Sequence, residues 1–238
     1  KAGDARGISA FLTPVTSPGF KVEHMWWTFN MPSDHAEVSL TDVKVPRENV
    51  VGEVHGAYPV FNTMMVPERL GTAAMTVGAA RPALDIATQY SSRRKAFGQV
   101  INRFQGVSFQ VAEAATLLDA SRAMVYATSR AADEVADMDH VRRLISETKK
   151  FVTESCQKLA HNAMQVVGGI GYTNVLPLER IYRDIRLASI WTGTNEVMAM
   201  IVAHEWYREH GKQKAAKLAR DYARDAVEAD AADEFIYE

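Results

Sequence analysis

Gln165-Val166-Val167-Gly168-Gly169-Ile170-Gly171-Tyr172 is the stretch whose reading decides the fold. Upstream of it, from Asp137-Met138-Asp139 onward, Val141, Leu144, Ile145, Val152, Cys156, Leu159, Ala163 and Val167 recur at helical spacing. Arg142, Lys149, Lys150 and Lys158 are assigned to the solvent face of that helix. The glycines close a helical run rather than leaving a strand, so they are not the Gly-rich turn of a dinucleotide-binding βαβ unit. They are read as a sharp corner where backbone can approach something closely. A second corner, Ile190-Trp191-Thr192-Gly193-Thr194-Asn195-Glu196, precedes a last helix expected over residues 195–209.

Outward from these corners, the helical period extends back to Gly56. A first long helix is expected from Pro67, or a little earlier, through Leu70, Ala73, Ala74, Val77, Ala80, Leu84 and Ala87 to Tyr90, with Gly98 breaking it. A second starts at Phe104-Gln105 and sets Val107, Val111, Ala114, Leu118 and Val125 on one face. A shorter one fits residues 176–188, with Pro177 tolerated in its first turn. Long helices joined by short turns pack as antiparallel neighbours. Before residue 52 the texture is that of strands: Ile8-Ser9-Ala10-Phe11-Leu12, Phe20-Lys21-Val22-Glu23-His24 and Ala36-Glu37-Val38-Ser39-Leu40. Three strands bury too little face to stand alone, so they read as the end of a larger β domain. Trp26-Trp27 reads as packing or interface. The expected architecture is mainly α, an antiparallel helical bundle over 53–210 preceded by the C-terminal part of a β domain over 1–52. A charged helical or disordered tail, 211–238, follows, where Ile236-Tyr237 could dock locally.

Composition narrows the partners. A formal net charge of −2 leaves no basic footprint for nucleic acid, and no apolar run is long enough for a membrane span. The single cysteine, Cys156, excludes an internal disulfide and suits a reducing compartment, the cytoplasm or, in a eukaryote, the mitochondrial matrix. No metal-ligating cluster is assigned.

Arg93-Arg94-Lys95-Ala96-Phe97-Gly98 places cations and an aromatic beside a glycine corner and the start of a helix. Such a combination can hold a phosphate; it can equally be a basic helix end complementing its dipole. Several motifs occurring in order tip the balance. Arg94-Lys95-Ala96-Phe97-Gly98, Phe104-Gln105, the 165–172 stretch, Glu179-Arg180-Ile181-Tyr182-Arg183-Asp184 and Gly193-Thr194-Asn195-Glu196 together closely resemble the acyl-CoA dehydrogenase family. Pro18-Gly19-Phe20, Leu40-Thr41-Asp42-Val43-Lys44-Val45-Pro46 and Asn49-Val50-Val51-Gly52-Glu53 resemble the last portion of that family's middle β domain. The resemblance runs from Gly7 to Glu209.

The resemblance implies a flavoenzyme that oxidises an acyl-CoA thioester to its α,β-enoyl form and passes electrons to an electron-transferring flavoprotein. By that resemblance Arg94, Phe97, Gln105, Gln165, Gly168 and Gly169 match positions that hold the dinucleotide part of a neighbouring subunit's FAD. Thr194 and Glu196 match positions touching FAD within their own subunit. A homodimer or homotetramer follows. Most family members carry the catalytic glutamate directly before Gly-Thr, where this chain has Thr192, which has no carboxylate. The branch resembling the isovaleryl and long-chain enzymes places it in Glu-Arg-Leu, matched here by Glu68-Arg69-Leu70. Glu68 is therefore the expected base, with desolvation by the acyl chain strengthening it. Arg69 matches a substrate-site arginine, and the Thr192 amide matches a donor to the thioester carbonyl. The carboxylate of Glu68 could alternatively complement a helix dipole from a first turn. Arg183 and Asp184 are expected to form a structural ion pair.

The family's N-terminal helical domain and flavin-cradling loop lie outside the resemblance, which implies that these residues alone bind FAD weakly and are inactive. An oxidase-like or reductase-like relative, or a non-catalytic subunit working with an active partner, fits the same motifs. Val66-Pro67 and Trp191 are candidates to shape the acyl pocket.

Overall fold

The computed structural model describes residues 7–28 and 31–215. Two antiparallel strand pairings precede the helices. β1 (Ala10–Phe11) pairs with β4 (Val50–Val51), and β2 (Phe20–Thr28) pairs with β3 (Met31–Leu40) in a long ribbon with two register shifts. Trp26 and Trp27 sit in that ribbon, half or more exposed. Gly19 enters it at φ +86, and a Cβ there would lie 2.0 Å from the Thr41 carbonyl oxygen, so only glycine fits.

Five helices follow: α1 (Ala57–Arg93), α2 (Gln105–Glu134), α3 (Met138–Val167), α4 (Leu178–Ala188) and α5 (Asn195–Ala215). The chain is thus the expected antiparallel bundle with a minor β portion. α1 begins ten residues before Pro67, which lies in its interior together with Pro82. Its start is permitted because Pro59 occupies the first turn, where backbone N–H groups have no intrahelical acceptor in any case. β5 (Lys95–Ala96) and β6 (Gln99–Val100) form a tight hairpin after α1, with Phe97 and Gly98 both at positive φ. The helix accordingly ends before Gly98, at Arg93.

Side chains fix the helix directions. Glu113 to Asn162 (2.8 Å) and Thr128 to Thr148 (2.6 Å) make α2 antiparallel to α3. Asn195 to Thr153 (3.0 Å) and Arg143 to Glu209 (3.0 Å) make α5 antiparallel to α3 on its other side. α3 is the central rod: Val141, Ile145, Val152, Cys156, Leu159, Ala163 and Val167 are buried along it. Asp137 caps it, its carboxylate accepting from the amides of Asp139 and His140, and Gly168 ends it at φ +72. Small residues of α1, namely Ala73, Ala80 and Ala87 at seven-residue intervals, let the two rods approach closely. Ala74 faces solvent.

One expectation is corrected: Lys149 is fully buried rather than on the solvent face. On α4, Arg183 pairs at 2.8 Å with Glu179 one turn back, since residues i and i+4 share a helix face, and its charge also favours the Asp184 carboxylate against the burial that raises it. Cys156 is buried, and burial pushes its thiol up to about 12, which makes it inert. Among the described residues no helix is long and apolar enough to cross a membrane and no metal-binding cluster occurs. Residues 216–238, with the Ile236-Tyr237 docking expectation, lie outside the described residues.

Candidate functional site

The candidate residues fall into two groups, one where α1 and α3 end and one beside the middle of α3. The first gathers where α1 and α3 end. Arg94 caps α1 and is exposed, as are Gln105, which opens α2, and Gln165 in the last turn of α3. Phe97 is 95% exposed at the tip of the hairpin, its ring edge-on to Phe104 at 6.1 Å. A fully exposed phenyl ring on a left-handed backbone gains nothing from this chain's own core. Arg94 shares a cavity with Tyr90 and Leu176, so the α1 end lies beside the segment that leaves the glycine corner.

That corner is a single 3-10 turn, Gly168–Tyr172. Its three glycines have different reasons. Gly168 is needed for its positive φ. Gly171 is tightly packed, since a Cβ there would stand 3.1 Å from Val167 and 3.3 Å from Leu178, and those side chains would have to give way. Gly169 needs neither: its φ is not positive and nothing lies within 4 Å of the Cβ position. Gly171→Ala should therefore destabilise the fold by about 1–3 kcal/mol through overpacking, whereas Gly169→Ala should leave the thermal midpoint unchanged. Equal melting of the two variants would contradict this division.

The second group surrounds Thr192. Glu68 is exposed and lies three turns inside α1, so a first-turn dipole role does not apply to it. Its neighbour Arg69 turns inward and is buried, donating from Nε to the Thr192 carbonyl at 3.0 Å. Burial, with Arg142 nearby, lowers its guanidinium below the ordinary value. Thr192 adopts φ +54 and Gly193 φ +93. A β-branched residue in the left-handed region is strained, by roughly 1–3 kcal/mol, and persists only where its surroundings hold it. The Thr192 hydroxyl oxygen is buried and has no hydrogen-bond partner. Lys149 Nζ donates to the Gly193 carbonyl at 2.9 Å and to Asn195 Oδ1 at 3.0 Å. Asn195 in turn donates to Thr153 and to Glu154. Thr194 accepts at its hydroxyl from the Val197 amide, and the same hydroxyl helps hold the Glu196 carboxyl below its usual range. Thr194 and Glu196 line a polar pocket with Arg186 and Ser189, which are hydrogen-bonded to each other.

Lys149 is the site residue that sequence reading misses. Its signal is the seven-residue gap between Ile145 and Val152 in the buried stripe, which on a helix demands a buried residue at 148 or 149. Both Thr148 and Lys149 are fully buried.

Residues 56–206 match the family described as acyl-CoA dehydrogenase, C-terminal domain. The chain is 35% identical over 201 residues to the caffeyl-CoA reductase-Etf complex subunit CarC of Acetobacterium woodii, covering 83% of this chain and 52% of that protein. It is 29% identical over 206 residues to the mitochondrial short-chain specific acyl-CoA dehydrogenase of Mus musculus, covering 86% and 49%. Butyryl-CoA dehydrogenase from Megasphaera elsdenii superposes with a TM-score of 0.79 at 28% identity, covering 87% of this chain and 54% of that one. The chain spans about half the length of the curated relatives it matches.

Proposed function

Because the chain belongs to the acyl-CoA dehydrogenase family, we propose that the full-length protein is an FAD-dependent enzyme of acyl-CoA thioesters, acting at the α,β carbon–carbon bond. The observations that carry this reading are two surfaces that the chain's own core leaves unused: the exposed Phe97 with Arg94 near it, and the polar pocket lined by Thr194 and Glu196. Thr194 and Glu196 would hold a cofactor within the subunit, and Arg94, Phe97, Gln105, Gln165, Gly168 and Gly169 would reach a neighbour's. The open face over Gly169 and the exposed Phe97 suit that role, and it requires at least a homodimer.

Bound FAD supplies the acceptor for the β-hydride. The chain's own contribution is the rest. Glu68 takes the α-proton, because Thr192 offers no carboxylate at the corner. Amides of the Thr192 corner donate to the thioester carbonyl, stabilising negative charge that grows on it as the α-proton leaves. In this reading residues 1–52 are the C-terminal part of a middle β domain, and an electron-transferring flavoprotein is the electron partner.

A second reading reverses the direction. It is favoured by the 35% identity to a subunit of a complex named for caffeyl-CoA reductase and Etf. Turnover of saturated and α,β-unsaturated acyl-CoA panels by the full-length protein, with an electron-transferring flavoprotein as acceptor or donor, tests both. Dehydrogenation of a saturated thioester is the expected result; reduction alone selects the second reading, and inertness of the FAD-loaded protein towards every thioester removes both.

A further inference from the structure

α5 packs against α3 on one side and exposes Val197, Met200 and Tyr207 on the other. Where it runs beside α3, Met124 of α2, Phe151 of α3 and Val202, Trp206 and Tyr207 of α5 line an open groove of about 570 Å³. Phe151 is 39% exposed, Trp206 57% and Tyr207 76%. The Arg143 guanidinium lies over the Trp206 ring at 5.0 Å, which fixes the ring while the rest of its surface meets water. Two carboxylates stand on the rim, and both are neutralised: Glu147 by Arg143 at 2.6 Å and Glu154 by Lys150 at 2.9 Å. The groove therefore has an apolar floor and an edge that does not repel an acidic segment. Aromatic side chains gathered in one concavity, rather than scattered singly, mark a contact site. Among the described residues nothing covers it.

The chain carries a segment of matching chemistry. α5 is described to Ala215, and residues 216–238 follow it. Within them Phe235-Ile236-Tyr237 is the one run of three large apolar side chains. From Glu228 to Glu238 there are five acidic residues and no basic one, so these three are the side chains of that stretch that gain by leaving water. Residues 216–234 span about 60 Å when fully extended. The way back from Ala215 to Val202 is about 20 Å along α5, so the segment reaches the groove. The tether makes the contact intramolecular, and a high effective concentration lets a few buried side chains suffice.

We propose that Phe235, Ile236 and Tyr237 occupy the groove of their own chain between α3 and α5, packing on Phe151 and Trp206 and closing this face to other proteins. The inference stands apart from the acyl-CoA reading. Its consequence is felt along α5, which starts directly after Thr194 and is held on α3 by the strap over its later turns.

The test is hydroxyl-radical footprinting of the full-length protein, read at Phe151, Trp206 and Tyr207 by mass spectrometry. These side chains are expected to be labelled about tenfold faster in the Phe235→Ala/Ile236→Ala/Tyr237→Ala variant than in the unaltered protein, which corresponds to a docking equilibrium of about ten, or 1.4 kcal/mol. Ala203→Glu puts a charge into the groove at an exposed position, and is expected to give the same gain at Phe151 and Trp206 with the tail intact. A photo-crosslinking phenylalanine analogue in place of Tyr237 should join residues 147–154 or 199–207 of its own chain. In oligomers assembled from ¹⁴N- and ¹⁵N-grown subunits, such crosslinks carry a single isotope. Equal labelling of the three side chains in the unaltered protein and the tail variant overturns the inference. Mixed-isotope crosslinks overturn it too, by assigning the groove to a second copy, as do crosslinks that join position 237 to any other surface.

Discussion

Glu68→Gln in the full-length, FAD-loaded protein is expected to lower turnover by about 10²–10⁴-fold, the contribution of a positioned general base, or roughly 2.7–5.5 kcal/mol of barrier. The amide keeps the shape of the carboxyl and removes only its basicity. FAD content and enoyl-CoA affinity should therefore stay within about twofold, because neither the glycine corners nor the carbonyl donors change. Glu68 is exposed in this chain and so open to a ligand from outside. The alternative, catalysis from the corner, lacks a proton acceptor: Thr192 carries a hydroxyl with no base against it. Rapid-mixing measurement of flavin bleaching separates the chemical step from product release. Undiminished bleaching in the variant would remove the assignment.

Arg143→Ala is expected to cause the largest loss of stability. Arg143 is buried on α3 and donates to Glu209 of α5 at 3.0 Å and to Glu147 at 2.6 Å, with its guanidinium over the Trp206 ring at 5.0 Å. Truncation leaves Glu209 and Glu147 without this cation and opens a gap between α3 and α5. Breaking a buried pair in this way costs about 3–5 kcal/mol, and each kcal/mol lowers the thermal midpoint by about 2–4 °C at this size. The same contact predicts a pH dependence. Arg143, and less strongly His140, hold the Glu209 carboxyl below its usual 4.5. Its native value is depressed, so its stabilisation is present above the ordinary carboxylate value and fades as pH falls through the native one. Urea midpoints measured from neutral pH downwards should fall less steeply below about pH 4.5 in the variant than in the unaltered protein. Parallel slopes would assign the acid sensitivity elsewhere, for instance to the Arg208–Asp139 and Arg208–Glu205 pairs on the same helices.

Much of this molecule is legible without coordinates. The boundaries of α2, α3 and the start of α5 follow from Gln105, the Asp137 cap, Gly168 and Asn195, because caps and glycine stops are local backbone chemistry. The start of α1 is not legible in the same way. Pro67 reads as a boundary, since proline removes a ladder hydrogen bond, yet the helix runs from Ala57 through it, with Val60 and Met64 lining an apolar pocket together with Ile8 and Ala10. The order of the motifs likewise names the residues of both groups, but order along a chain says nothing about distance. That Arg69 and Lys149 converge on two neighbouring carbonyls, 123 and 44 residues away, appears only on folding.

The sequence by itself determined the helical class, the corners and the family, because periodicity, caps and glycines act over a few residues and leave a local record. The tertiary structure alone decided what the charged residues inside the bundle do. Lys149 and Lys150 are indistinguishable by type and adjacent in sequence, yet one is fully buried against a carbonyl and the other pairs with Glu154 at the surface. The rotation of 100° per residue separates them, and only the packing of α1 and α5 around α3 says which side is inside.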